Sequence, residues 1–184
     1  MRKFLILASA GVILLACNNE QKPATETTTA STADSSSEKK AWEFADAKYT
    51  DWGKKQLADF ESGNIDSWMS NFSDSARYFW SGGDSLIGKP AITEYWKNRR
   101  ANVIKTIKFS NDIWLPIKVN VPQKGPDRPG VWLMSWYQVN ATYASGKSIQ
   151  FWTHNLFHFD NNDKIDQVSA FIDMAPIKAA IAGK

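Results

Sequence analysis

The two histidines of the chain, His154 and His158, are separated by four positions. On a helix this spacing would place both side chains on one face, as in metal-binding H-x-x-x-H patterns. The β-branched and aromatic residues around them indicate a strand instead, on which residues four apart lie about 13 Å from each other at ~3.3 Å per residue. The pair cannot hold one ion, so we predict no metal site.

Asp173 is the ionisable side chain that the sequence best places for general acid–base chemistry. It ends the apolar run 165–174, and strand alternation puts it on the same face as Thr153 and Asn155. Its structural alternative is a helix cap or a salt bridge at the end of the strand. His154 lies on the opposite face in this register, so it becomes a catalytic candidate only if the register shifts by one residue.

Two turns determine which side chains share a face of the predicted sheet. A compact turn at Ser145-Gly146 sets one register, and pairing of Phe159 with Ile165 sets the other. The first face then contains Met134, Trp136, Gln138, Asn140, Phe151, Thr153, Asn155, Phe157, Gln167, Ser169, Phe171 and Asp173. The second face contains Ser135, Tyr137, Val139, Trp152, His154, Leu156, Val168, Ala170 and Ile172.

The elements before this hairpin are predicted to be helices. Apolar residues at steps of three and four from Trp42 to Phe60 indicate an amphipathic helix, which Gly63 ends. Asn64 caps a short second helix, and Pro90 suits the first turn of a third. Long strands are then predicted at 104–121, 131–144, 148–159 and 165–174. This order predicts an α+β fold, with three N-terminal helices on one face of a curved antiparallel sheet.

The N-terminus predicts export. A basic start precedes an apolar run at 4–16, which is too short to span a membrane but fits a signal peptide. The run ends in LLAC, which resembles the lipobox of bacterial lipoproteins, where the signal peptide is removed before an acylated cysteine. We therefore predict a signal peptide at 1–16 and attachment to a lipid bilayer through acylated Cys17; the alternative is a plain secretory signal. Asn18 favours the outer membrane, because an aspartate at this position resembles an inner-membrane retention signal.

Composition divides the rest of the chain into a tether and one domain. Asn18 to Lys40 contains no aromatic and no large aliphatic residue, which predicts a disordered tether at 17–40. All nine tryptophans lie in the predicted domain, 41–184. A formal net charge of +3 gives no basic surface for nucleic acid, so we predict no such partner. No phosphate loop, dinucleotide fingerprint or C-x-x-C occurs, and we predict no cofactor.

Three segments of the domain resemble the motifs of one superfamily. FESGNIDSW with FSDSA, at 60–76, resembles its "G-D-hydrophobic … F-x-D-D-A" start. GKPAITEYW, at 88–96, resembles the beginning of its third helix, and FHFD, KI and FID, within 157–173, resemble its final hairpin. Together they resemble the NTF2-like superfamily, in its SnoaL-like and ketosteroid-isomerase-like branch. The resemblance implies a cone-shaped domain that encloses a pocket.

The resemblance also implies where the isomerase machinery would lie. The oxyanion-binding tyrosine falls on Gln56, the general-base aspartate on Trp80, and the protonated aspartate on Asn155. A tryptophan cannot abstract a proton, so the isomerase mechanism is not expected. The amides of Gln56 and Asn155 can still donate hydrogen bonds to a carbonyl oxygen.

Because the resemblance points Asn155 into the pocket, the first face is predicted to be its wall. We therefore predict capture of a small, largely apolar ligand without catalysis, with contacts from Gln56, Trp80, Trp136, Gln138, Thr153, Asn155, Phe171 and Asp173. One alternative is a SnoaL-like enzyme of cyclase, hydratase or isomerase type that uses Asp173 or His154 as general acid or base. Another is an interaction module whose own aromatic side chains fill the pocket. The apolar second face predicts a homodimer, unless a loop or C-terminal helix covers it.

Overall fold

The computed structural model describes residues 40–124 and 127–183. Its helices are α1 (Lys48–Ser62), α2 (Ile65–Met69), α3 (Lys89–Asn98) with a following π-helical turn (Arg99–Val103), and α4 (Met174–Ile181). Its strands are β1 (Trp42–Phe44), β2 (Phe72–Trp80), β3 (Ser85–Ile87), β4 (Ile104–Val119), β5 (Gly130–Tyr143), β6 (Ser148–Phe159) and β7 (Ile165–Phe171). The predicted signal peptide, Cys17 and all of the predicted tether except Lys40 lie outside the described residues.

The strands form one curved seven-stranded sheet in the order β1-β4-β5-β6-β7-β2-β3. Strands β4 to β7 form the predicted antiparallel meander, while β2 and β7 pair in parallel. Helices α1, α2 and α3 precede the long strands and contribute side chains to one core with β5, β6 and β7. The predicted α+β fold is confirmed. No helix in the described part of the chain is long and apolar enough to cross a membrane.

The first predicted helix begins later than its periodicity indicates. Trp42 pairs with Val119 in an edge strand, and α1 begins only at Lys48. Backbone pairing with β4 therefore overrides the helical spacing at the N-terminal end. The predicted ends are confirmed, because Gly63 has a φ of +83° and the Asn64 side chain accepts a hydrogen bond from the N–H of Ser67 at 3.1 Å.

The turn between β5 and β6 has three residues, Ala144 to Gly146, where two were predicted. The N–H of Gly146 donates to the carbonyl of Tyr143, and the N–H of Tyr143 donates to the carbonyl of Lys147, both at 2.9 Å. Gly146 has a φ of +88°, as expected for the last residue of a three-residue hairpin loop. The additional residue shifts β5 by one position against β6, so the predicted faces of β5 are wrong.

Strand β7 contains an additional residue close to its start. Phe159 pairs with Ile165 as predicted, but His158 pairs with Gln167, which leaves Asp166 unpaired in a β-bulge. Beyond the bulge every side chain of β7 points to the face opposite to the predicted one. The predicted faces of β7 are therefore also wrong.

The bulge places Asp166 in a part-buried polar cluster on the outer face of the sheet. Its carboxylate accepts hydrogen bonds from Arg128 at 3.0 and 3.2 Å and lies 2.6 Å from Nδ1 of His158. The Nε2 atom of His158 lies 3.0 Å from the carbonyl oxygen of Pro129, and Trp132 packs edge-on against the ring. This cluster holds Arg128 and Pro129, which precede β5, against the outer face of the sheet, where they cover His158.

The corrected register defines the two faces. The inner face, which meets the helices, contains Leu133, Ser135, Tyr137, Val139 and Ala141 from β5, Phe151, Thr153, Asn155 and Phe157 from β6, and Val168 and Ala170 from β7. Alternation along β6 is as predicted. Trp136, Gln138 and Phe171 were predicted to point inward, but they lie on the outer face.

Candidate functional site

A cavity with about 120 Å³ of free volume lies between the helices and the inner face of the sheet. Its wall is rich in aromatic residues, namely Phe60, Trp68, Tyr78, Trp80, Tyr95, Trp96, Phe109, Trp114, Tyr137, Tyr143, Phe151 and Phe157. The aromatic rings therefore leave the pocket open, contrary to the alternative in which they fill it. An apolar cavity with a few polar groups has the composition of a small-molecule site.

Four of the eight predicted ligand-binding residues lie in this wall: Gln56, Trp80, Thr153 and Asn155. The other four are absent from it. Trp136, Gln138 and Phe171 lie on the outer face because of the additional turn residue and the bulge. Asp173 follows β7, and its side chain is used at the end of the sheet.

Gln56 is a polar residue of the wall whose side-chain amide lacks hydrogen-bond partners. It is 2% exposed, and both its Oε1 and its Nε2 atoms are buried without a hydrogen-bond partner among the described residues. Burying an unpaired amide costs about 1–3 kcal/mol. Helix α1 holds this side chain against the cavity between Gly53 and Phe60. A ligand atom that pairs with the amide would recover this free energy.

Asn155, Tyr137 and Thr153 form a paired network in the wall. The Asn155 amide donates to the Tyr137 hydroxyl oxygen at 2.9 Å and to Oγ1 of Thr153 at 3.3 Å. Thr153 in turn donates to the backbone carbonyl of Phe171 at 3.3 Å. Burial raises the pKa of Tyr137, so its hydroxyl stays protonated at neutral pH. Tyr137 was predicted to lie on the outer face, and the shift of one residue in β5 places it on the inner face.

Tyr78 and Arg99 also lie in the wall and were not predicted as site residues. Burial raises the pKa of Tyr78 well above its usual value, so this hydroxyl is also neutral. Arg99 continues the spacing of Ile92 and Tyr95 along the third helix. An arginine on an otherwise apolar helical stripe is a sequence signal that could have indicated this position, but it was not used.

The catalytic candidates are not in the wall, and among the described residues that form it there is no Asp, Glu or His. The ring of His154 stacks between Trp136 and Phe171 on the outer face, with centroid distances of 4.4 and 5.4 Å. The Asp173 side chain caps α4 by accepting a hydrogen bond from the N–H of Ala175 at 2.9 Å. Within 40–124 and 127–183, no group of three or more His, Cys, Asp or Glu could hold a metal ion.

The capping role of Asp173 can be separated from a catalytic role. We expect Asp173→Ala to destabilise the domain by about 1 kcal/mol, whereas Asp173→Asn stays near the wild type because asparagine caps helices equally well. Thermal unfolding of the two variants measures this difference. A loss of ligand binding or activity in Asp173→Asn at unchanged stability would instead place the carboxylate in the site.

Gly53 gives Trp114 its place in the wall. A Cβ atom on Gly53 would lie 2.5 to 2.9 Å from the Trp114 ring. We expect Gly53→Ala to be destabilising by about 1 kcal/mol, because overpacking outweighs the better helix propensity of alanine. Gly82→Ala is the control, since a Cβ there meets nothing within 4 Å. Equal melting temperatures for both variants would contradict the expectation.

The fold is similar to solved structures, although no family model and no curated protein matches the sequence. A candidate polyketide cyclase from a Silicibacter species has a TM-score of 0.59 at 14% identity, covering 75% of this chain and 98% of the other. A candidate isomerase from Bacillus subtilis has 0.58 at 14%, covering 74% and 94%. A Catenulispora acidiphila protein with a ketosteroid-isomerase-like fold, in complex with trimethylamine, has 0.51 at 10%, covering 71% and 91%.

The described domain therefore has the NTF2-like fold, as found in SnoaL-like and ketosteroid-isomerase-like proteins. This confirms the fold that the resemblance of the three sequence segments implied. At this level of identity the likeness concerns the fold. The chemistry has to be derived from the cavity of this chain.

Proposed function

We propose that this domain captures a small, largely apolar ligand and does so without general acid–base catalysis. The observation that carries the proposal is the Gln56 amide, buried in the cavity wall with neither atom paired among the described residues. Such an amide is costly in the empty protein. A ligand that supplies the missing hydrogen bonds would offset this cost.

The rest of the wall supports binding through apolar contact. Rings such as Trp80, Trp96 and Phe157 remove hydrocarbon from water at about 25 cal/mol per Å². Asn155 and Tyr137 pair with each other, so they shape the wall and orient the ligand. A carbonyl or hydroxyl group on the ligand would match the amide of Gln56.

Two observations favour binding over proton transfer. Asp173 caps α4, and His154 lies on the outer face, so neither predicted acid or base reaches the cavity. Burial raises the pKa values of Tyr78 and Tyr137, so both phenols stay protonated at neutral pH and offer no phenolate as a general base. The enzymatic alternative would need a base from outside the cavity wall.

One structural neighbour contains trimethylamine, and aromatic cavities can hold amines through cation–π contact. In this chain, however, the guanidinium of Arg99 lies in the same wall. The positive charge of Arg99 would repel a second cation at this wall. We therefore propose a ligand that is not cationic.

A ligand screen followed by thermal unfolding tests the proposal. A ligand present at 100 times its Kd should stabilise the wild type by ~2.7 kcal/mol. Ala170→Leu fills the cavity and should abolish this gain, whereas Ser169→Leu adds the same side chain on the outer face and should retain it. Equal stabilisation of both variants would place the ligand elsewhere and contradict the proposal.

We further propose that the domain is held at the outer membrane by acylated Cys17 through the tether at 17–40. The sequence around Cys17 supports this anchor. Mass spectrometry of the purified protein should find an acylated N-terminal cysteine, and Cys17→Ser should release the protein from the membrane fraction. Membrane association that survives Cys17→Ser would contradict the proposal.

A homodimer through the outer face is part of the same proposal. Ile113, Trp136, His154 and Phe171 form one row across four strands, and Ile113 and Phe171 are 56% and 46% exposed. Light scattering should give twice the monomer mass, and Phe171→Asp should give the monomer. Lys54→Asp, on the exposed surface of α1 and therefore on the other side of the sheet, is the control and should stay dimeric. A monomeric wild type would contradict this proposal.

A further inference from the structure

Arg99 is a residue of the cavity wall to which the contacts among the described residues assign no structural role. It lies in the wall at the start of the π-helical turn, and such turns are frequent at functional sites. Its Nε atom is buried without a partner. In the described ranges, no carboxylate forms a salt bridge with its guanidinium.

Arg100, the next residue, shows what a structural arginine does at this place. Its guanidinium donates to the carbonyl oxygens of Phe60, Glu61 and Ile104 at 3.1 to 3.2 Å. It therefore closes the C-terminal end of α1 and joins it to β4. Arg99 makes no comparable set of contacts with the described residues.

The charge of Arg99 lies beside the aromatic side chains of the wall. Its guanidinium lies 5.4 Å from the centroid of the Tyr95 ring, which is part of the wall. Burial raises the pKa values of Tyr78 and Tyr143, and the positive charge of Arg99 opposes both rises. Two further wall residues thus experience the field of this cation.

We propose that the cavity binds an apolar carboxylate, whose carboxylate group pairs with Arg99 while its hydrocarbon body lies among the aromatic rings. The inference rests on the proposed function and adds the chemical class of the ligand. A guanidinium matches a carboxylate with two parallel hydrogen bonds. A phosphate would bring more charge than one arginine compensates in this apolar wall.

The size of the cavity restricts the body of the ligand. Its free volume of about 120 Å³ is close to that of the engineered ~150 Å³ cavity that holds benzene. One ring or a short alkyl chain therefore fits. In this arrangement the carboxylate of the ligand pairs with Arg99, and any further hydroxyl or carbonyl group pairs with Gln56.

Matched acids and amides test the inference at pH 7. The probes are phenylacetate, 3-phenylpropionate and hexanoate, each compared with its primary amide by calorimetry and by tryptophan fluorescence. The amide keeps the shape and removes the charge. We expect at least one acid to bind about tenfold more tightly than its amide, as charge-assisted hydrogen bonds are roughly twice as strong as neutral ones.

Variants then assign the preference to Arg99. Arg99→Gln should reduce acid binding to the level of the amide without changing amide binding. Arg99→Lys should keep part of the preference, because it retains the charge but not the two-pronged geometry. Lys97→Gln is the control, since this exposed lysine of α3 pairs with Asp66 at the surface. Its preference should match that of the wild type.

Each other result overturns the inference. If the wild type binds acid and amide equally well, the carboxylate is excluded as the preferred ligand group, but the proposed function is not contradicted. If Arg99→Gln still binds the acid more tightly than the amide, the carboxylate binds at a residue other than Arg99. Absence of binding for all six probes overturns the inference, whereas the proposed function is judged separately by the ligand screen with Ala170→Leu. The wild-type comparison decides the question even if Arg99→Gln fails to fold.

Discussion

Gln56→Met should stabilise the unliganded protein and weaken its ligand binding. Methionine preserves the unbranched shape of glutamine and removes two buried polar atoms that have no partner among the described residues. Since an unpaired buried amide costs about 1–3 kcal/mol, we expect a gain of about 1 kcal/mol in unfolding free energy. For a domain of this size, the melting temperature should rise by roughly 2–4 °C. Ligand affinity should fall about tenfold, because the ligand loses its hydrogen-bond partner.

Asn155→Leu is the matched control for Gln56→Met. Both variants replace a buried amide of the cavity wall by an apolar side chain of similar size, but the Asn155 amide donates to Tyr137 and Thr153. We therefore expect Asn155→Leu to lose about 1–2 kcal/mol of stability. Calorimetry of both variants without ligand shows whether each one gains or loses stability relative to the wild type. If Gln56→Met is destabilised as much as Asn155→Leu, then the Gln56 amide is satisfied in the empty protein, and the main support for the proposed function is lost.

Of the substitutions for which we predict a change in stability, Asp166→Ala should cause the largest loss. It leaves the guanidinium of Arg128 and the buried ring of His158 without their shared carboxylate. Breaking a fully buried ion pair costs ~3–5 kcal/mol, and because Asp166 and Arg128 are partly exposed we expect about 2–3 kcal/mol. Denaturant unfolding measures the loss. The segment with Pro129 should also become more sensitive to proteolysis, because the cluster no longer fastens it to the sheet.

The hairpin turn offers a matched control for this substitution. Asp163 accepts hydrogen bonds from Lys48 and Tyr49, but its side chain is 55% exposed. Exposed pairs contribute ~0–1 kcal/mol, so Asp163→Ala should be nearly neutral. A loss of similar size in both variants would mean that the Asp166 cluster is no more than a surface salt bridge.

The helical part of the fold could be predicted because its signals are local. Gly63 ends α1 through a positive φ, and Asn64 caps α2 through its own side chain. Both effects depend on a few neighbouring residues. The three family-like segments gave the order of the elements for the same reason. Trp42 was assigned to a helix wrongly, because its pairing with Val119 is a contact between distant residues that periodicity does not reveal.

About half of the candidate site could be predicted, and the division follows the register of the strands. Thr153 and Asn155 were placed correctly because alternation within β6 is continuous. Trp136 and Phe171 were placed wrongly because an error of one residue inverts a whole strand. The two errors come from single residues, the third turn residue before β6 and the bulged Asp166.

The sequence by itself determined the class of fold, the order of its elements and the face of β6. Each of these depends on composition or on residues close together in the chain. Only the tertiary structure decided that Tyr137 and Ala170 face the cavity and that Arg99 shares a wall with Gln56. These features depend on how the strands pair and how the helices pack over them. One additional residue in a turn or a bulge changes the local free energy little, but it reverses which side chains of a strand face the cavity.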